Sequence, residues 1–365
     1  MGTATIRISR RKSKQLVNDS VKSAEAVNLV YVTNDQPGIQ RLKKGKGFIY
    51  KLNGKTVTDF DTIARIRSLV LPPAWTKVWI CPLDNGHLQA TGFDIRGRKQ
   101  YKYHTSWNVL RNHTKYFHLH DFGKVLPSIR SQLEKDISQQ GLPQEKVLAL
   151  VVSLMQCTCI RIGNSVYEKL NGSFGLTTLK DQHVSISGSS IKFSFKGKKG
   201  IYHDISLKSK KLAKLVQACK DIPGKELFQY YDETGNRKSI DSGMVNSYIK
   251  AISGGNFTAK DFRTWAGSLQ ALSVFKNLGE PETITETKKK LVEGLDLVAK
   301  HLGNTRTICK KYYVHPAILE LYSDRTLEKY FRKQDTENCD NQGSELSTEE
   351  QILMSILEGY RHATI

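Results

Sequence analysis

Near the C-terminus a tyrosine pair, Tyr312-Tyr313, is set among cations. Arg306, Lys310 and Lys311 precede it, and Asn304 lies nine residues before Tyr313. Three more cations stand upstream in well-marked contexts: Arg161 after an apolar run, Lys198 in a glycine-flanked turn, and Arg263 in the aromatic segment Phe262-Arg263-Thr264-Trp265. This is an inventory for breaking and remaking a phosphodiester with neither metal nor nucleotide. A tyrosine hydroxyl, with a pKa of about 10, is a weak nucleophile near neutral pH. It needs a positive field or help in losing its proton. The pentacoordinate transition state carries extra negative charge on the non-bridging oxygens, which planar guanidinium forks bind bidentately. A lysine can protonate the leaving 5′-oxygen as a general acid. An amide can donate one more hydrogen bond to a non-bridging oxygen.

The net charge of +21 points to a polyanionic partner. Nucleic acid leads, because phosphate neutralisation supplies most sequence-independent affinity. A generically basic protein is the plain alternative. No basic amphipathic helix stands out that would favour a membrane surface, and no apolar run reaches spanning length. The N-terminus lacks an apolar signal core, so secretion is not expected, although a mitochondrial presequence would share its basic composition. Six cysteines scattered over 365 residues read as reduced thiols. Cys157 and Cys159 lack the second pair that a zinc site needs. Gly54-Lys55-Thr56 looks like the end of a phosphate-binding loop, but Ile49 stands where that loop needs glycine. Nothing in the chain indicates use of ATP.

The elements that must position these groups divide into four stretches. Residues 1–25 form a basic, flexible N-terminus. Residues 26–115 read as β-rich, residues 116–332 as mainly helical, and residues 333–365 as an acidic linker followed by a short helix. In the second stretch Asn53-Gly54 joins two strand-like runs and signals a type I′ hairpin. The segment Arg98-Lys99-Gln100-Tyr101-Lys102-Tyr103 interleaves cations, an amide and aromatics at strand spacing. Tyr101 and Tyr103 then fall on one face and Gln100 and Lys102 on the other. Such a ribbon suits a nucleic-acid groove; an ordinary half-buried strand fits the pattern equally well.

In the third stretch, helices are expected over 126–139 and 145–159. Arg161 follows the second, where a cation commonly complements the helix dipole. Three strands are expected at 183–187, 191–195 and 201–205, with Lys198 at the second turn. Thr258 and Asp261 have capping spacing before a helix whose apolar face carries Phe262, Trp265, Leu269, Leu272 and Phe275. Arg263 falls in the first turn of that helix, an unfavourable place for a cation. A helix over 315–322 closes the fold. Ser347 and Glu350 repeat the capping spacing before an amphipathic tail helix that docks on the body or on a partner.

Motif order over about residues 25–330 resembles the bacterial, poxvirus-like type IB DNA topoisomerases. The motifs are Gly97-Arg98-Lys99-Gln100-Tyr101-Lys102-Tyr103, Ile160-Arg161-Ile162-Gly163-Asn164, Tyr167, Gly175-Leu176-Thr177-Thr178-Leu179, Lys260-Asp261-Phe262-Arg263-Thr264 and Tyr313-Val314-His315-Pro316. The resemblance implies an α+β fold: a small β-rich N-terminal lobe and a larger, mainly α catalytic lobe with a three-stranded antiparallel sheet. It implies Tyr313 as the nucleophile forming a 3′-phosphotyrosyl bond, with Tyr312 its local rival. Arg161 and Arg263 would clamp the transition state. Lys198 would be the general acid, with Lys196 and Lys199 close by, and Asn304 would donate a hydrogen bond. Arg98, Gln100, Tyr101, Tyr103, Tyr167 and Lys260 would contact DNA. The implied protein is a monomer that clamps duplex DNA between two lobes, takes no cofactor or metal, and acts in the cytoplasm on a bacterial nucleoid.

A tyrosine recombinase shares the two arginines, the lysine and the tyrosine. It typically carries histidine three residues before the second arginine, where this chain has Lys260. A non-catalytic duplex-binding protein would lack one of the reacting residues, and all are present. One geometric demand follows. Nine residues along a continuous helix put two side chains on opposite faces. Asn304 and Tyr313 can share a phosphate only if the backbone breaks between them or the segment bends.

Overall fold

The computed structural model describes residues 19–335 and 346–360. The basic residues 1–18 and most of the acidic linker lie outside this range. The architecture is α+β with antiparallel sheets, and the chain divides into two compact units between His118 and Leu119.

The N-terminal unit opens with α1 (Ser20–Glu25), inside the stretch expected to be an arm. The Asp19 carboxylate accepts from the backbone N–H groups of Val21 and Lys22 and so caps it. A six-stranded sheet follows, in the order β3-β2-β1-β4-β5-β6. It contains β1 (Ile39–Lys44), β2 (Gly47–Leu52), β3 (Lys55–Thr56), β4 (Thr76–Ile80), β5 (Leu88–Phe93) and β6 (Lys99–Tyr103), with α2 (Phe60–Ser68) between β3 and β4. Asn53 and Gly54 join β2 to β3 with φ of 50° and 80°, as a type I′ turn requires. Ile39, Ile66, Val78, Ile80 and Ala90 form the core of this unit. Strand β6 pairs only with β5, so the Arg98–Tyr103 ribbon is a sheet edge.

Helix α3 is longer than expected. It runs unbroken over Thr105–Ile137, with Pro127 inside it, rather than starting near Leu126. Its first turns bury Trp107 and Leu110 in the N-terminal unit. From Leu119 onward, Phe122, Leu126, Ile129, Leu133 and Ile137 recur every three or four residues and enter the second core. The change of partner along one helix hid its true start from pattern reading.

The second unit is mainly helical. Helix α4 (Gln144–Thr158) is apolar nearly all round and fills its centre. Around it stand α5 (Ser165–Asn171), a three-stranded antiparallel sheet of β7 (Val184–Ser187), β8 (Ser190–Lys196) and β9 (Tyr202–Lys208), and α6 (Lys210–Lys220). The short pair β10 (Gln229–Tyr231) and β11 (Arg237–Ser239) leads to α7 (Ser242–Ser253), α8 (Ala259–Leu278) and α9 (Ile284–Leu302). Then come α10 (Arg306–Tyr312), α11 (Pro316–Ser323), α12 (Glu328–Asp335) and α13 (Thr348–Gly359). The N-cap of α8 is Thr258, so Arg263 is its fifth residue and opens the second turn, not the first. There Arg263 is buried, at 5% exposure.

The tail helix α13 docks on the body. Ile352, Leu353, Ile356 and Leu357 join the main core. The buried Glu350 carboxylate takes two hydrogen bonds from Arg130, at 2.8 and 2.7 Å, and one of 3.0 Å from Trp265 Nε1 on α8. Ser347 supplies the expected cap, its backbone N–H donating to Glu350. Among the described residues no helix is long and apolar enough to cross a membrane.

Candidate active site

The second unit gathers four of the expected residues, Arg161, Lys198, Arg263 and Asn304, around Tyr313. Helix α9 ends at Leu302, and Gly303 caps it in the left-handed region with φ of 57°. Asn304 follows, Thr305 is the N-cap of α10, and Tyr313 stands just past the end of that helix. This is the required break. It puts Asn304 before a seven-residue helix and Tyr313 after it.

Arg161 is delivered by a second reversal. Cys159 ends α4 in the left-handed region, and residues 160–163 leave the helix as irregular chain, with Gly163 at φ of 97°. The Gly175-Leu176-Thr177-Thr178 stretch holds them. Leu176 N–H donates to the Arg161 carbonyl at 2.9 Å, and Thr177 donates to the Ile162 carbonyl through both N–H (2.7 Å) and Oγ1 (2.9 Å). A Cβ on Gly175 would lie 2.5 Å from the Arg161 carbonyl oxygen, so the two segments touch backbone to backbone.

Arg161 serves a helix end other than the one it follows. Arg161 Nη2 donates to Gly303 O at 3.2 Å and to Asn304 Oδ1 at 2.6 Å. Arg263 donates Nη2 to Leu302 O at 2.9 Å and Nη1 to Cys159 O. Orphan carbonyls at the C-terminal ends of α9 and α4 thus fix both forks. The Arg263 guanidinium also sits over the Tyr313 ring, 5.3 Å from its centroid. Two buried donors in this cluster have no acceptor among the described residues: Arg263 Nε and Asn304 Nδ2. Buried polar groups are nearly always satisfied, and exceptions mark places that serve a ligand or strain.

Burial and the nearby Arg263 push the Arg161 pKa down to about 10, while Tyr313 and Cys309 act the other way. Lys198 sits in a 3₁₀ turn, Lys198–Gly200, at the tip of the β8–β9 hairpin. Its side chain reaches solvent, yet its pKa is lowered, first by the protein packed around it and then by Arg161. Tyr313 opposes that shift, and Lys199 and Arg263 reinforce it. Tyr312 differs from its neighbour: the cation over its ring is Lys311, at 5.3 Å.

Tyr313 is also held from behind. Ser268 Oγ on α8 donates to the Tyr313 carbonyl at 3.3 Å and accepts from His315 N–H at 3.1 Å. A Cβ on Gly267 would lie 2.7 Å from that carbonyl oxygen, so glycine lets α8 approach the tyrosine segment. Neither Ser268 nor Gly267 was singled out in the sequence. Both are small residues between Trp265 and Leu269 of the apolar stripe, which was the available signal.

Two further expected residues belong to the second unit. Tyr167 is half exposed on α5, which Asn164 caps. Lys260 is exposed near the start of α8. In the N-terminal unit, Asp94 engages both Arg98 (Nε at 2.8 Å, Nη2 at 2.7 Å) and Gln100 (Nε2 at 3.0 Å). The Arg98 side chain, helped by the Arg98 and Arg96 N–H groups, holds the Asp94 carboxyl below its usual value against the effect of burial. Tyr101 and Tyr103 stack 6.0 Å apart on the other face of β6, with Lys99 over Tyr101.

Comparison with known proteins agrees with this arrangement. Residues 99–340 match the family described as eukaryotic DNA topoisomerase I, catalytic core. Residues 47–94 match the bacterial DNA topoisomerase IB N-terminal domain. DNA topoisomerase 1B of Acanthamoeba polyphaga mimivirus is 34% identical over 296 residues, covering 79% of this chain and 88% of that protein. DNA topoisomerase I of Monkeypox virus and DNA topoisomerase 1B of Vaccinia virus (strain Copenhagen) are each 28% identical over 236 residues, 64% of this chain and 72% of theirs. The match over residues 99–340 and the 34% identical relative define the class. The chain belongs to the type IB DNA topoisomerase family, whose members named here are isomerases.

Proposed function

We propose that this protein relaxes supercoiled duplex DNA by transient cleavage of one strand, strand swivelling and religation, without ATP or metal. The observation that carries the reading is the pair of buried, unpartnered donors, Arg263 Nε and Asn304 Nδ2, beside a tyrosine that lies under Arg263. A phosphate oxygen is an acceptor suited to such donors.

The steps follow from the chemistry of the groups. Tyr313 gives up its phenolic proton to solvent as Oη attacks the scissile phosphorus beside Arg161, Arg263 and Lys198. Both guanidiniums and the Asn304 amide bind the non-bridging oxygens as charge builds on them. Lys198 passes a proton to O5′, the P–O5′ bond breaks, and a 3′-phosphotyrosyl bond stores the bond energy. The free 5′ end swivels under torsional strain. Its hydroxyl then returns its proton to Lys198 and displaces Tyr313. The β6 edge, Tyr167 and Lys260 supply phosphate and groove contacts, and the protein works as a monomer.

The test is relaxation of supercoiled plasmid in EDTA without ATP, with Tyr313→Phe and Tyr312→Phe alongside. Relaxation by wild type and Tyr312→Phe, but not by Tyr313→Phe, is the expected outcome. Binding without change in linking number would overturn the proposal.

A further inference from the structure

His203 takes no part in the steps above, yet it lies between two elements that carry reacting groups. It sits on β9 opposite Phe195 in the hairpin register, and the two rings stack at 5.1 Å and 22°. On one side is Gly197, the residue before Lys198. A Cβ there would lie 2.5 Å from His203 Cδ2. On the other side is Gly303, the residue before Asn304, where a Cβ would lie 2.4 Å from His203 Cε1.

The two glycines have different causes. Gly303 needs its left-handed φ to end α9. Gly197 has φ of −93° and ψ of −163°, which any residue adopts. Its small size is explained by the ring beside it. The imidazole therefore fills the gap between the base of the lysine turn and the asparagine turn, in contact with both. Burial, then Arg161 and Arg263, lower its pKa, so at neutral pH it adds no charge to the cluster.

We infer that His203 is a positioning residue that sets the Lys198 hairpin at its working distance from the Asn304 turn by packing between Gly197 and Gly303. This rests on the proposed role of Lys198 as general acid. If the ring is removed, the hairpin tip loses its stop, and proton delivery to O5′ suffers before phosphate binding does.

The experiment is single-turnover cleavage of two duplexes, one with the ordinary 5′-oxygen leaving group and one with sulfur at that bridging position. A thiolate departs without a proton, so the sulfur duplex does not need the acid. His203→Ala, His203→Phe, Gly197→Ala and Lys198→Ala are compared with wild type, and thermal unfolding is recorded for each. The expected result is that His203→Ala and Gly197→Ala cleave the oxygen duplex roughly 10- to 100-fold more slowly. Both should approach the wild-type rate on the sulfur duplex, and His203→Phe should stay near wild type on both. Should His203→Ala lose its fold, Gly197→Ala carries the test. Rescue of Lys198→Ala but not of the His203 and Gly197 variants would overturn the inference, as would an unimpaired His203→Ala. Failure of Lys198→Ala itself to be rescued would instead overturn the general-acid reading.

Discussion

Arg161 Nη2 donates a 2.6 Å hydrogen bond to the side-chain oxygen of Asn304. Because arginine can only donate, that bond fixes which end of the amide faces it. The NH2 group is turned the other way, where it is buried without an acceptor. One contact thus ties the arginine proposed as a transition-state clamp to the amide proposed as a phosphate donor, and orients that amide.

Asn304→Asp tests this orientation. The carboxylate keeps the bond to Arg161 but loses the donor and brings a negative charge to the scissile phosphate. Loss of a single donor to a developing oxyanion costs about 10²- to 10³-fold in rate. Asn304→Ala should therefore slow single-turnover cleavage by roughly 100-fold. Asn304→Asp should be slower still, with DNA affinity changed much less than rate. An aspartate variant faster than the alanine variant would contradict the orientation.

A pH profile tests the general acid. The Lys198 pKa lies below its ordinary value of 10.5, first through burial and then through Arg161. An acid works only while protonated, so cleavage should fall as pH rises through the lowered value. The dependence of kcat/KM on pH reports groups of the free enzyme. Its alkaline limb should begin below pH 10.5 in wild type and move to higher pH in Lys198→Arg, at a reduced rate. An unshifted limb in that variant would assign the titration elsewhere.

Close approach of α8 to the nucleophile predicts a rate defect from one methyl group. In Gly267→Ala the new Cβ would meet the Tyr313 carbonyl oxygen at 2.7 Å and Tyr313 Cβ at 2.9 Å. Real Cβ atoms do not sit so near, so Tyr313 must shift. A misplacement of about 1 Å costs about 10²-fold in rate. Cleavage and religation should both slow, with little change in DNA binding.

The tail helix predicts a stability effect. Glu350→Ala leaves Trp265 Nε1 and the Arg130 fork without their acceptor, at a cost of about 3 kcal/mol. For a unit of this size that lowers the unfolding midpoint by about 6–12 °C. The sign with pH is set as follows. Burial tends to raise the Glu350 pKa, but Arg130, Trp265 and the Ser347 N–H outweigh it, so the folded value lies below 4.5. Its contribution is present above the unfolded value and is lost as pH falls through the folded one. Between pH 7 and acid, the gap between wild type and Glu350→Ala should therefore narrow. A constant gap would show that packing alone holds the helix.

Much of this was legible because the informative features are local. Asn53-Gly54 dictates its own turn, Ile191, Phe193 and Phe195 alternate across one face, and Ser347 and Glu350 cap a helix three residues apart. The reacting residues were legible as an inventory of chemistry in a recognisable order. What could not be read was set by partners distant in sequence. Arg161 looked like a complement to α4, but it binds the ends of α9 and the Asn304 amide, 142 and 143 residues away. The break between Asn304 and Tyr313 was demanded by geometry; the extended Thr305 that supplies it follows Gly303, an unread helix stop. His203 looked like one more alternating strand residue, because nothing local reveals the two glycines that meet its ring.

The most direct test of the central claim is to identify the atom that DNA is joined to. A duplex whose downstream strand is short enough to diffuse away traps the cleaved complex, and a 5′ label on the upstream strand then stays with the protein. Proteolysis and mass spectrometry should find the nucleotide on Tyr313 through a 3′-phosphate, unchanged in Tyr312→Phe and absent in Tyr313→Phe. An adduct on Tyr312, a 5′-phosphate linkage, or no adduct would contradict the account.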